Sequence, residues 1–169
     1  MSKGQLAGVG SDSALLRTMS IASLPRPLVV LGLAGILPQA FCLFMALSGG
    51  EARWTALAAA CCYAALILSF LGGLWWMAGL LGGVKAPWFH LLAVLPSLVG
   101  WAMLLPWCVG APWPGPELVT LGLLILASPL ADKALARVMA LPPGWLALRA
   151  MMATGLGTLT VVIGVLAGY

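Results

Sequence analysis

Charged residues are scarce in this sequence. Only 7% of its 169 residues are charged and 63% are hydrophobic, whereas an average soluble domain has roughly 25% charged residues. So little charge excludes an ordinary soluble protein. We therefore expect an all-α integral membrane protein, with the lipid bilayer as its main surroundings.

The residue patterns that carry catalysis or metal binding are also missing. The chain has four acidic residues and one histidine, and it contains no nucleophile elbow, phosphate-binding loop, paired carboxylates or zinc-type His-Glu spacing. Cys42, Cys61, Cys62 and Cys108 lack Cys-x-x-Cys spacing. We expect no enzyme, metal site or cofactor. The basic residues form no continuous patch, so we expect no nucleic-acid binding either.

Long uncharged stretches occupy most of the chain. A helix needs about 20 apolar residues to cross a hydrocarbon core of roughly 30 Å. Five spans are predicted at about 27–48, 54–77, 88–108, 117–134 and 150–168, which form one transmembrane domain over 27–169. The fourth has only 14 uncharged residues between Glu117 and Asp132, and we count it as a full span whose end lies among the headgroups. Residues 1–26 lack the apolar core of a secretory signal. We expect a flexible cytoplasmic tail there, with a mitochondrial presequence as the alternative.

The basic residues predict the orientation of these spans. Of the eight Lys and Arg residues, only Arg53 lies on one side of the expected bundle, and the other side holds Lys3, Arg17, Arg26, Lys85, Lys133, Arg137 and Arg149. Because cytoplasmic flanks carry the excess of Lys and Arg, we expect a cytoplasmic N-terminus and a periplasmic C-terminus. The expected location is the bacterial inner membrane, or the mitochondrial inner membrane in a eukaryote.

Small residues recur at helical spacing in three of the expected spans. Such faces let helix backbones approach closely, which drives association where lipid is as apolar as leucine. We expect a compact bundle with the second span near its centre. The expected packing positions are Gly32 and Gly35 in the first span, Cys62, Ala65, Gly72, Gly73, Gly79 and Gly83 in or just after the second, and Gly157, Gly164 and Gly168 in the last.

Polar and aromatic residues gather at the expected cytoplasmic end of the bundle. The candidates for ligand or partner binding there are Trp75, Trp76, His90, Asp132 and Arg149. His90 could face Asp132 as an acid-base pair. Alternatively, the cations meet lipid phosphate while the tryptophans anchor the bundle, and we favour this second interpretation.

Two further polar residues lie deeper in the expected spans. Gln39 could bind a ligand or donate a hydrogen bond to a neighbouring helix, through Ser69 or the carbonyl of a kinked helix. We favour the bond between helices and keep both residues as candidate site residues. No ionisable residue is expected at mid-depth, which argues against a transporter or proton relay.

The second span carries the motif that identifies a family. The chain resembles the transmembrane-protein-69-like family, small bacterial and mitochondrial membrane proteins, at Tyr63-Ala64-Ala65, at Leu68-Ser69-Phe70-Leu71-Gly72-Gly73 and at Trp76. The resemblance covers about residues 28–168 and implies five spans and an unestablished function. Relatives usually carry His or Arg where this chain has Trp75, and Gly where it has Met77. If that basic residue is functional in relatives, its absence here implies a changed function, unless His90 of the next span supplies a substitute.

Two functional hypotheses remain open on the sequence. The first, which leads, is a non-enzymatic accessory or assembly partner of another membrane complex, because the faces of small residues suit helix packing and no buried charge is expected. The second is a binder or carrier of a small lipophilic ligand, in a pocket on the cytoplasmic side beside Trp76 and His90.

Overall fold

The described part of the chain is helical throughout. In a computed structural model, which describes residues 21–111, 114–137 and 139–168, we find helices and turns and no strand. A 3-10 turn at Ile21–Ser23 precedes α1 (Arg26–Ala34), α2 (Leu37–Ser48), α3 (Ala52–Leu81), α4 (Pro87–Ala102), α5 (Leu105–Cys108), α6 (Gly115–Leu135) and α7 (Trp145–Ala167). The expected all-α class is confirmed. Most of the expected N-terminal tail lies outside the described residues.

Five helical segments are long and apolar enough to cross a membrane, as expected. The first combines α1 and α2 and the third combines α4 and α5, while α3, α6 and α7 are single helices. The outer surface of the segments is apolar: Leu31, Phe44 and Leu66, for example, are each about two-thirds exposed or more. This surface suits contact with lipid chains.

Pro38 divides the first segment into two helices. It occupies the first turn of α2, where its missing N–H breaks the helical hydrogen bonding after α1. The Tyr63 hydroxyl of α3 donates a hydrogen bond to the Gly35 carbonyl at this break. The interruption is therefore stabilised by a side chain of the neighbouring helix.

Helices α6 and α7 pack through two pairs of glycines. A Cβ on Gly122 would lie 2.9 Å from the Gly157 carbonyl oxygen, and a Cβ on Gly157 would lie 2.9 Å from the Gly122 carbonyl oxygen. Gly115 and Gly164 oppose each other in the same way, at 3.2 and 2.9 Å. On both helices the paired glycines are seven residues apart, a repeat that keeps one face on an antiparallel neighbour. Gly168 follows as the C-cap of α7.

Helices α3 and α4 also pack closely through small residues that are seven positions apart. A Cβ on Gly72 would approach the Ala93 carbonyl oxygen closer than 3.0 Å, and one on Gly100 would lie 3.1 Å from the Ala65 carbonyl oxygen. Gly79, seven residues after Gly72, leaves room for an aromatic ring of α4. Helix α3 also packs against α2, α6 and α7, so the second segment has the central place expected for it.

The other expected packing positions lie away from these seams. Gly32 approaches a side chain of α7, and Cys62 is only half-buried, whereas Cys61 is fully buried. Nothing lies within 4 Å of a Cβ built on Gly73 or Gly83. Gly83 instead ends α3, because its φ of 69° is a left-handed conformation that glycine adopts without strain. The face of α3 that packs against α4 therefore includes Gly72 and Gly79 but not Gly73 and Gly83, which the sequence also predicted as packing positions.

Candidate functional site

A buried ion pair joins α6 and α7. Arg149 Nε donates to Asp132 Oδ2 over 3.0 Å, with side chains that are 6% and 5% exposed. Asp132 lies one turn before the end of α6 and Arg149 one turn after the start of α7. The antiparallel register set by the glycine pairs brings these two turns together.

Trp75 of α3 completes this group. Its indole Nε1 donates a 2.9 Å hydrogen bond to Asp132 Oδ1, so each carboxylate oxygen of Asp132 accepts a bond from a different helix. We call Trp75, Asp132 and Arg149 the polar triad. It ties the central helix to the α6–α7 pair.

The triad corrects the expectation that the bundle contains no buried charge. Two of the few charged residues are inside it, and both belong to helices long enough to span a membrane. The sequence places them at span ends, where lipid headgroups could solvate them. Packing turns them toward each other instead, and burial without pairing would cost several kcal/mol per ion.

A small cavity borders Arg149. It has a volume of about 60 Å³ and lies between the first segment, α3, α6 and α7, with Gly32, Phe70, Ser128 and Arg149 among its lining residues. Two of these lining residues are Arg149 and Ser128, and Arg149 Nη2 and Ser128 Oγ are buried without a hydrogen-bond partner in the described part of the chain. We call this cavity the Arg149 fissure. It offers two polar groups in otherwise apolar surroundings.

A larger groove runs between α4 and α6, which both pack on α3. Its volume is about 510 Å³, within the range of roughly 300–1,000 Å³ typical of small-molecule sites. The lining is almost wholly apolar, and the residues are Leu68 and Trp75 of α3, Leu92, Leu95, Pro96 and Val99 of α4, and Leu124, Ala127, Ser128, Leu130, Ala131 and Ala134 of α6. We call it the α4–α6 groove.

The groove continues toward the end of the bundle that holds the triad. A neighbouring cavity of about 50 Å³ shares Trp75 and Leu92 with it and adds Trp88 and Phe89. Trp75 thus contributes its ring to the groove while its N–H bonds to the triad. The indole connects the apolar site to the buried ion pair.

His90 belongs to a separate aromatic group. Its ring makes an edge contact with Trp76 at a centroid distance of 4.9 Å, and its Nδ1 lies 3.4 Å from the Ala86 carbonyl oxygen. The two bonds to the Asp132 carboxylate come from Trp75 and Arg149. The structure therefore does not form the acid-base pair of His90 and Asp132 considered on the sequence.

The deeper polar candidates form two links between helices. Gln39 Nε2 donates to Thr160 Oγ1 over 3.0 Å, and both residues are fully buried. Ser69 and Ser97 share a hydrogen bond of 2.9 Å between α3 and α4. Gln39 thus bonds to a neighbouring helix, as favoured, but its partner is Thr160 rather than Ser69. Thr160 was missed because it lies one position away from the small face read in the last span.

The chain matches one family model. This model is described as a protein of unknown function (DUF3429), and it matches residues 24–165, from just before α1 into the last turn of α7. No curated protein and no solved structure matches the sequence. The match supports a family of unknown function for almost the whole helical bundle.

Proposed function

This chain belongs to the DUF3429 family of proteins of unknown function, and on that premise we propose that it is a non-enzymatic membrane protein that binds a lipophilic molecule in the α4–α6 groove. The observation that carries the proposal is the size and lining of the groove: about 510 Å³ between two spanning helices, bordered by apolar side chains. The occupant is an apolar chain or ring system from the surrounding bilayer.

The groove offers such a molecule a surface that is already formed. Trp75 is held by its bond to Asp132, and Asp132 is held in turn by Arg149. A preformed wall lowers the ordering cost of binding. Burial of apolar ligand surface against neighbouring helices replaces lipid contacts, so shape complementarity rather than expulsion of water would supply the affinity.

Filling the groove provides the direct test. Ala127 lines it from α6, so Ala127→Phe should occupy ligand space, whereas Ala59→Phe places the same ring on an exposed position of α3 that does not line the groove. We expect wild-type protein and Ala59→Phe, purified in mild detergent, to carry one lipophilic molecule per chain. Mass spectrometry of the extract should show about a tenfold loss in Ala127→Phe.

Equal amounts in the three proteins would place the molecule outside the groove. Absence of any stoichiometric small molecule from wild-type protein would reject the proposal. The variants must elute as monodisperse protein for the comparison to count.

A second candidate function is that of an accessory or assembly partner of another membrane complex. It is supported by the apolar surface of the first segment, most of which is not buried by the rest of the bundle. Only 11% of its most apolar window is buried inside the bundle, against 44% for α3. Leu37, Phe41 and Phe44 are each about two-thirds exposed along its outer face. Lipid can cover this face, but so can a helix of another protein.

Cross-linking in native membranes distinguishes the second candidate. A partner on the first segment should cross-link to wild-type protein at a fixed ratio, and Phe41→Ala together with Phe44→Ala should reduce the yield several-fold. Replacing Leu66 and Phe70, which are equally exposed on α3, serves as the control. A yield that does not depend on Phe41 and Phe44 would reject this interface.

We further propose the orientation and location expected from the charges, a cytoplasmic N-terminus and a periplasmic C-terminus in the bacterial inner membrane. On this orientation the polar triad lies near the cytoplasmic leaflet. The resemblance to the transmembrane-protein-69-like family implies five spans, and its mitochondrial members motivate the mitochondrial inner membrane as the eukaryotic alternative.

A further inference from the structure

We propose that the Arg149 fissure binds the ester carbonyl of a glycerolipid from the surrounding bilayer. The site is separate from the α4–α6 groove and lies on the other side of α6, toward the first segment. Ser128 lines both sites, but the proposal does not rest on the function proposed above, because it is carried by Arg149 and by a different chemical group.

Two buried polar groups in the fissure call for an acceptor. The Arg149 guanidinium uses Nε for Asp132, which leaves Nη2 without a partner among the described residues, and Ser128 Oγ is in the same situation. Both residues line the fissure, and Arg149 and Ser128 are only 5% and 3% exposed. A buried donor left unsatisfied costs roughly 1–3 kcal/mol. An acceptor oxygen in the fissure removes this cost.

The charge of the site selects an uncharged acceptor. Asp132 already neutralises Arg149 at 3.0 Å. A phosphate or free carboxylate entering the fissure would therefore leave a net negative charge in apolar surroundings, which is strongly unfavourable. A carbonyl oxygen accepts two hydrogen bonds without adding charge, so an ester satisfies the donors and an anionic headgroup does not.

The depth and shape of the fissure agree with a lipid ester. Arg149 is four residues from the start of α7 at Trp145, about 6 Å along the helix, which places it near the boundary between hydrocarbon and headgroups. The lining includes Gly32, which has no side chain, and Phe70, which is 61% exposed, so the fissure opens on the outer surface of the bundle. Its volume of about 60 Å³ has room for a carbonyl group.

Ester and ether lipids provide the test, since they differ at the carbonyl. The full-length protein is reconstituted with equal amounts of ester-linked phosphatidylcholine and its diether analogue of the same chain length. After gentle detergent extraction, native mass spectrometry counts the retained lipids. We expect lipid retained at the fissure with a preference of about tenfold for the ester, the factor that one hydrogen bond of about 1.4 kcal/mol provides.

Arginine-to-lysine variants test whether the preference for ester lipid depends on Arg149. Arg149→Lys keeps a positive charge opposite Asp132 but removes the Nη2 edge, so the ester preference should fall to near unity. Arg137→Lys makes the same change at an exposed position outside the fissure and should keep the preference. Ser128→Ala removes one hydroxyl and should lower the ester preference several-fold. If Arg149→Lys does not fold, Ser128→Ala tests the proposal in its place.

Several results would overturn the proposal. These are equal retention of ester and ether lipid by wild-type protein, no retained lipid at all, or a full ester preference in folded Arg149→Lys and Ser128→Ala. Ala127→Phe should leave the preference unchanged, whereas its loss there would place the lipid in the α4–α6 groove instead. A failed groove experiment with an intact ester preference would reject only the function proposed above.

Discussion

Asp132 is the residue on which the polar triad depends. Its two oxygens accept bonds from Trp75 and Arg149, so its removal leaves an indole N–H and a guanidinium inside the bundle. Breaking a buried pair by removing one partner is far more damaging than replacing both partners with apolar residues. The triad therefore constrains α3, α6 and α7 more through the cost of breaking it than through the net gain of forming it.

We predict that Asp132→Ala destabilises the protein by about 3–5 kcal/mol. The double variant Asp132→Leu with Arg149→Met should recover most of this loss, because it leaves no unpaired charge. Reversible unfolding of the detergent-solubilised protein measures both free energies. A double variant as unstable as the single one would show that the pair contributes mainly by its own attraction.

In contrast to Asp132→Ala, we predict that Gln39→Leu has little effect on stability. The Gln39 amide gives Thr160 one bond, while its Oε1 has no partner among the described residues. Bonds between membrane helices average about 0.6 kcal/mol, and the change removes an unsatisfied acceptor at the same time. We expect the unfolding free energy to change by less than about 1 kcal/mol, and a loss as large as that of Asp132→Ala would contradict this reading.

At the scale of helices, glycine position matters more than glycine content. Gly122 and Gly157 lie where the backbones of α6 and α7 touch, whereas an added Cβ on Gly73 meets nothing within 4 Å. The sequence presents all three as small residues in spans. Which of them lies in a seam depends on how each helix is rotated about its axis.

This difference yields a matched pair of substitutions. Gly157→Ala forces a methyl group against the Gly122 carbonyl and should cost about 1–3 kcal/mol by overpacking. Gly73→Ala should be neutral or stabilise by up to about 1 kcal/mol, since alanine is the better helix former. Thermal unfolding in one detergent compares them. Equal effects of the two changes would mean that the α6–α7 seam is not tightly packed.

At the scale of the whole molecule, the spans alternate in direction, so the loops fall at two ends of the bundle. Lys85 follows α3 and Ala111 follows α5, and both are exposed. With five spans these positions are on opposite sides of the membrane. On the orientation that we propose from the excess of Lys and Arg, Lys85 faces the cytoplasm.

Cysteine labelling of intact cells tests this orientation. In a background that replaces the exposed Cys108 with serine, Ala111→Cys should react with a membrane-impermeant maleimide added outside. Lys85→Cys should react only after the membrane is opened. Labelling of both positions from outside would contradict the five-span arrangement, and the reverse pattern would invert the orientation.

The sequence alone determined the class of this protein, the number of its spans and the residues that are candidates for a site. These follow from composition and from the length of apolar stretches, because transfer into lipid depends on each local stretch and little on its neighbours. The same local reasoning identified Trp75, Asp132 and Arg149 as unusual residues in an apolar chain.

Only the tertiary structure decided how those residues are paired. Trp75 and Asp132 are separated by 57 positions and Gln39 and Thr160 by 121, so their meeting depends on the register and rotation of whole helices. A rotation by one residue, about 100° around a helix of 3.6 residues per turn, moves a side chain from a seam to the lipid. The triad, the Arg149 fissure and the α4–α6 groove exist because five helical segments fit together in one register.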